Sequence, residues 1–287
     1  MKQSNLGWIH GLLGVIIFAG SMPATRLAVS GFSPEFLTGA RAVIAAIFAI
    51  LCLYVFKQPI PNIKQIRSLV LIALGVVFGF PFFTALALEN ITAARALVFV
   101  ALLPLATAIF AVQRAGEKPS IQFWLSAILG SSFVALFMWF QDQQAFHFRS
   151  DLYMLIAVLA CGLGYAEGGQ LSKQLGGWQV ICWALIIALP LMLLLFGVYF
   201  PQDWDAIPVT AYAGLFYVSL FSMLIGFVFW YKGLAMGGVA RVGQIQLLQP
   251  FLGLILCAVF LHEAIDFAMI VVCFAVIICV FYAKKYA

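Results

Sequence analysis

Long apolar runs separated by short polar breaks recur along the entire chain, at about 8–28, 35–56, 67–87, 92–113, 120–140, 152–172, 178–200, 208–231, 238–260 and 265–283. Runs of about twenty apolar residues cross a bilayer as helices. The pattern therefore predicts an all-α integral membrane protein of ten transmembrane helices, with no separate soluble domain. The breaks are brief: KQPIPNIKQ follows the second run, RAGEKPS the fourth and PQDWDAIP the seventh. Connections this short make successive helices antiparallel. The first run follows a short polar start and lacks a small-residue cleavage site at its end, so it reads as a retained helix and not a signal peptide.

A second pattern lies over the first. The segment from Leu88 to Glu117 recurs from Leu234 to Glu263 at a constant offset of 146 residues, with Leu88/Leu234, Ala94/Ala240, Arg95/Arg241, Leu102/Leu248, Pro104/Pro250, Ile109/Ile255 and Glu117/Glu263 identical. Leucine matches mean little in apolar sequence; the shared Arg, Pro and Glu spacing means more. The chain reads as two five-helix units, 6–141 and 150–284. Because five is odd, the second unit enters the membrane in the opposite direction to the first, and duplicated inverted units of this kind are a common construction for transporters.

Composition sharpens this picture. With 65% hydrophobic and 9% charged residues, and a mean hydropathy of +1.12, the chain is far from the roughly one-quarter charged content of soluble domains. The net charge of +5 would suggest a nucleic-acid partner in a soluble protein, but its distribution says otherwise. Eleven Lys and Arg residues fall at the termini and even-numbered loops, against four (Arg26, Arg41, Arg95, Arg149) near the odd-numbered loops. This bias predicts cytoplasmic termini and a plasma-membrane location, the inner membrane in a bacterium. The six cysteines all lie in apolar runs without metal-type spacing and read as small buried hydrophobes.

The motifs resemble those of the drug/metabolite transporter superfamily, specifically its EamA-type ten-helix exporters, over nearly the whole chain. GSMPATRLA (Gly20–Ala28) followed by Pro34 and Arg41 is similar to the family's pattern in the first helix pair, although Ala19 stands where a Trp is usual. The Pro104/Glu117 and Pro250/Glu263 pairs match its fourth and ninth helices. The resemblance implies efflux of amino acids or related small metabolites, aromatic amino-acid exporters being among its members. It also implies a substrate site between the halves.

Candidate site residues follow from charge and polarity at membrane depth. Glu167 lies about 22 Å along the sixth helix at ~1.5 Å per residue. A carboxylate there faces a cavity or a partner, so it binds a substrate ammonium or a proton, or else bonds a neighbouring helix. Arg95 and Arg241 each open a helix, where the dipole and free N–H groups favour a carboxylate ligand, but where arginines also snorkel for structural reasons. Gln246 and Gln249 share a face ahead of Pro250, whose missing N–H frees the Gln246 carbonyl. Tyr165, Trp183, Thr84 and Tyr231 are further candidates for the substrate-binding or proton-coupling set, while Pro81, Pro104, Pro250, Glu117, Glu263, Arg26 and Arg41 are read as hinge or structural residues. Ser219 and Ser222 join Pro81 and Thr84 as cavity candidates in the third and eighth helices.

Several classes drop out. His10, His147 and His262 form no catalytic set, and the sequence carries no phosphate-binding GxxxxGK[ST] loop. The expectation is a non-enzyme without cofactor or metal, whose partners are a small-molecule substrate, the lipid bilayer and, as a candidate coupling ion, the proton. Proton coupling and facilitated diffusion both stay open. So do two other readings: a drug or organic-cation exporter of the same fold, and a non-transporting membrane receptor or assembly factor.

Overall fold

The computed structural model describes residues 2–141, 148–261 and 267–286, and all the regular structure among them is helical. Helices α1 (Lys2–Ala19) and α2 (Ser21–Ala28) follow one another with only Gly20 between. The chain then turns at Ser33, whose hydroxyl accepts from the Phe36 N–H and caps α3 (Pro34–Val55). A capping box between Asn62 and Gln65 starts α4 (Ile63–Ile72). After a π-helical stretch, Ala73–Gly79, the same rod continues as α5 (Phe80–Leu88). Thr92 caps α6 (Ala93–Val100), which is followed by α7 (Leu103–Ala115) and α8 (Ile121–Gln141).

The remaining elements are α9 (Phe148–Leu175), α10 (Gly177–Val198), α11 (Val209–Phe216), a second π-helical stretch at Tyr217–Ile225, and α12 (Gly226–Gly237). Then come α13 (Val239–Gly243), a 3₁₀ turn at Gln244–Leu248, α14 (Gln249–Leu261) and α15 (Phe267–Tyr286). Single glycines join α9 to α10 and α12 to α13. Gly176 and Gly238 have φ of 93° and 91°, a region that side-chain-bearing residues rarely adopt. A Cβ on Gly238 would meet nothing nearer than 3.7 Å, so there the backbone angle and not space demands glycine.

Three of the breaks inside the rods lie next to prolines. Pro81 supplies no N–H, and the Phe80 N–H reaches five residues back to the Gly75 carbonyl, the π pattern. In the eighth predicted span the Gly226 N–H reaches Phe221 O in the same way. The span read at 92–113 is interrupted at Ala101 and Leu102, just ahead of Pro104. Pro250 follows the 3₁₀ turn, and the Gln249 N–H donates to Gln246 O. The carbonyl that the proline frees is thus taken up one residue earlier and is not left as bare backbone polarity, contrary to the expectation from sequence.

Seven helical stretches among the described residues are long and apolar enough to cross a membrane: Asn5–Ala28, Pro34–Val55, Ile63–Leu88, Phe148–Leu175, Gly177–Val198, Val209–Gly237 and Val239–Leu256. Shorter apolar helices occur at Ile121–Phe133 and Phe274–Ala283. Large apolar side chains such as Ile47, Leu51, Leu125, Leu194 and Phe281 are exposed, as a lipid-facing exterior requires. Helix pairs join the two halves of the chain: α3 lies along α10, α1 along α12, α8 against α15, and α5 and α7 against α9. Small residues allow the closest approaches. A Cβ on Gly233 would stand 2.6 Å from the Gly11 backbone N, and one on Gly75 would stand 2.5 Å from the Ala160 carbonyl.

Candidate functional site

Between the halves lies a small cavity of about 20 Å³, room for about one water. Elements of the first half bring Phe18, Ser21, Arg41, Phe80 and Pro81 to it. The second half contributes Tyr165, Ser222, Phe227 and Gln249. Both π-helical stretches border it, through Val76 on one side and Ser222 on the other. π-turns inside helices occur frequently at functional sites.

The polar core of the cavity is a short hydrogen-bonded chain. The Ser21 hydroxyl donates to Ser222 Oγ at 2.8 Å, and Arg41 Nη2 donates to the same oxygen at 3.2 Å. Arg41 is 5% exposed, and among the described residues its Nε has no hydrogen-bond partner. Gln249 is anchored through Nε2 to the Phe18 carbonyl at 3.3 Å, leaving Oε1 unpartnered. Around these groups the rings form a box, with centroid separations of 6.3 Å where Tyr165 stacks on Phe18, 5.9 Å where Phe227 meets Tyr165 edge-on and 5.3 Å where Trp230 lies tilted against it.

Other sequence candidates sit elsewhere. Gln246 is fully buried beside the Tyr165 phenol, yet among the described residues its amide meets hydrogen-bond geometry with nothing; the amide of Gln244, also fully buried, likewise finds no partner among them. Thr84 is buried, and its hydroxyl has no hydrogen-bond partner among the described residues. Trp183 is half-buried and packs against the apolar core. Tyr231 is fully buried, its hydroxyl donating to the Gly164 carbonyl at 3.2 Å.

Glu167 does not line the cavity. Arg114 Nε donates to its Oε2 at 2.8 Å, linking α7 to α9, with the carboxylate side chain 9% exposed and the guanidinium 42%. Of the two readings the sequence left open, this geometry fills the neighbouring-helix bond.

Two clasps tie the halves together away from the cavity. Arg95 grips Asp151 with a fork, Nε to Oδ1 at 2.9 Å and Nη2 to Oδ2 at 2.8 Å, joining the start of α6 to the start of α9. Glu117 accepts from the Val239 and Ala240 N–H groups at 2.7 and 2.8 Å, so a carboxylate closing α7 caps the first turn of α13. Arg241, half-buried in α13, lies next to this second clasp. Arg26 donates to the carbonyls of Leu88 and Glu89 and fastens the end of α5. Glu263, the repeat counterpart of Glu117, lies outside the described residues.

Sequence reasoning missed three partners. Ser21 lies in the GSMPATRLA segment with no charge to single it out, and Arg114 and Asp151 fall at the ends of apolar runs, where charges are ordinary. A signal for the last two was present in principle: each is an opposite charge at the end of a helix adjacent to the residue it pairs with.

Relatives agree on the kind of protein. The chain is 54% identical over 287 residues, covering 100% of both sequences, to the uncharacterized transporter YdeK of Bacillus subtilis (strain 168). It is 25% identical over 274 residues, 92% of this chain and 88% of the other, to a probable terminal-alkyne amino-acid exporter of Streptantibioticus cattleyicolor. One solved crystal structure superposes with a TM-score of 0.79 at 17% identity, covering 98% of this chain and 99% of that one, a likeness that bears on the fold alone. Residues 5–139 and 148–283 each match the EamA-like transporter family. The chain belongs to the EamA-like transporter family of the drug/metabolite transporter superfamily and is a multi-pass protein of the plasma membrane.

Proposed function

We propose that this transporter is a secondary exporter of small metabolites, amino acids or related zwitterions, working by alternating access of two inverted five-helix repeats at 6–141 and 150–284. The full reading has ten membrane-crossing helices, both termini in the cytoplasm and, in a bacterium, an inner-membrane address. It involves no enzymatic step.

The observation that carries the reading is the cavity between the halves, polar at Arg41, Ser21, Ser222 and Gln249 and walled by aromatic rings. The helix pairing supports the inversion. Exchanging the first five helices with the second five turns the α1·α12 contact into the contact of α9 with the Ala73–Gly79 rod, and α3·α10 and α8·α15 into themselves. The Arg95–Asp151 and Glu117–α13 clasps lie at opposite ends of the fourth rod, so each is suited to closing one mouth of the cavity. Opening one while holding the other is the motion alternating access requires.

An organic-cation exporter is the competing reading, and the aromatic box favours it. The cavity itself argues against it: the charge that lines it is the Arg41 cation, and no described carboxylate lines it. Counterflow in proteoliposomes with an amino-acid panel and a cationic dye separates the two. Exchange of an amino acid is the expected result, and exchange of the dye alone moves the assignment to organic cations. Exchange of neither overturns both substrate readings.

A further inference from the structure

Of the seven arginines of this chain, Arg26, Arg95 and Arg114 hold carbonyl or carboxylate partners. Arg26 donates to the Leu88 and Glu89 carbonyls, Arg95 forks onto Asp151 and Arg114 bonds Glu167. Arg41 does none of these things. Its recorded bond is a single donation to the neutral hydroxyl of Ser222, and among the described residues no carboxylate pairs with it.

The position makes that omission expensive. Arg41 lies seven residues into α3, about 10 Å down the rod at 1.5 Å per residue, and is 5% exposed. A guanidinium has five N–H donors in a rigid plane, and a buried charge without a counter-charge is strongly destabilising. Ionisable groups at membrane depth mark substrate pathways when they face a cavity. Arg41 lines the cavity between the halves, with Nε unpartnered.

We propose that Arg41 is the binding site for the carboxylate of the transported molecule. The proposal rests on the transporter reading above and names the group by which that site recognises its substrate. The planar fork suits a carboxylate in a two-bond grip. Ser222, already accepting from Ser21 and Arg41, fixes the guanidinium plane. Gln249 Oε1, unpartnered in the same cavity, accepts from an ammonium, while the faces of Tyr165 and Phe227 take an apolar or aromatic side chain. The cavity is too small for an amino acid as it stands, so binding separates the rods at the π-helical stretches that border it. Arg41 thereby moves from a structural residue to the centre of the site.

The test uses detergent-purified full-length protein, with L-phenylalanine, 3-phenylpropionate and phenethylamine as probes and thermal stability followed by tryptophan fluorescence. The two carboxylate probes stabilise the wild type and phenethylamine does not. Arg41→Gln, checked for a monodisperse profile, loses at least tenfold in apparent affinity for both carboxylates. Arg41→Lys keeps the charge without the fork and loses about threefold or more, and it decides the matter if Arg41→Gln fails to fold. Ser222→Ala, which leaves the guanidinium in place, weakens binding by a smaller factor. Equal stabilisation of wild type and Arg41→Gln, stabilisation by phenethylamine alone, or no stabilisation of the wild type by either carboxylate overturns the site. Counterflow of L-phenylalanine read in parallel keeps the two claims apart. Arg41-dependent binding without exchange removes the transport reading and leaves the site standing. Exchange with unaltered binding in Arg41→Gln removes the site and leaves the transport reading standing.

Discussion

Arg114 and Glu167 form an ion pair of 2.8 Å in which one partner is buried and the other half in solvent. The asymmetry decides what each substitution does. Removing Arg114 strands a buried carboxylate, whereas removing Glu167 frees a guanidinium that water already reaches. Arg114→Gln is expected to cost about 2 kcal/mol and Glu167→Gln about 1 kcal/mol or less, both discounted for the exposed arm. Thermal melting of the two single variants and the double variant measures this. Exchange activity should survive Glu167→Gln within a few-fold; its complete loss in a well-folded variant would give the carboxylate a role in transport.

The two clasps should bias the cavity towards opposite faces. Glu117→Ala removes the acceptor of two N–H groups, a cap worth about 1 kcal/mol, and Arg95→Gln breaks the fork to Asp151. With all six native cysteines replaced, a Ser21→Cys probe reports exposure to an impermeant thiol reagent. Labelling from the Glu117 side should rise several-fold in Glu117→Ala, and labelling from the Arg95 side in Arg95→Gln. The same side rising in both would refute opposed gates.

Close packing of α1 on α12 predicts sharp intolerance at Gly233. Even the methyl of Gly233→Ala would stand 2.6 Å from the Gly11 backbone N, so the rods must part. Overpacking of this kind costs about 1–3 kcal/mol, read as a fall in melting temperature. Gly197→Ala is the matched control, since nothing lies within 4 Å of its added carbon. Its stability should be unchanged or slightly raised, because alanine is the better helix former.

At the end of α5, burial and the negative charge of Glu35 push the Glu89 carboxyl above its ordinary range. A carboxyl raised in the folded state favours folding while protonated. That contribution is present below its unfolded value and lost as pH rises through the folded one. Melting temperature should therefore fall from pH 4 to pH 7 more in the wild type than in Glu89→Gln. A larger fall in the variant would contradict the assignment.

Sequence pattern made the membrane class legible, because helix-length apolar runs are a local property. Pro81 and Pro104 likewise announced breaks in their rods. The site was harder. Glu167 stood out as a deep carboxylate, but its partner Arg114 is 53 residues away and reaches it from α7. Arg41 looked structural because nothing in one dimension shows that its guanidinium ends at a serine and an open cavity, 181 residues along the chain. Pairing between rods is a three-dimensional fact, and the polar residues that matter here are distinguished by what they fail to pair with.

The most direct test of the account is a counterflow experiment on a single-cysteine Ser222→Cys protein in a cysteine-free background. Proteoliposomes loaded with unlabelled L-phenylalanine should transiently accumulate labelled L-phenylalanine above its equilibrium level. Stoichiometric reaction of the cysteine with a bulky maleimide should abolish that overshoot. An overshoot untouched by the modification would place the substrate's path somewhere other than the cavity between the halves. The absence of an overshoot for every amino acid tried, with the unmodified protein, would contradict amino-acid exchange itself.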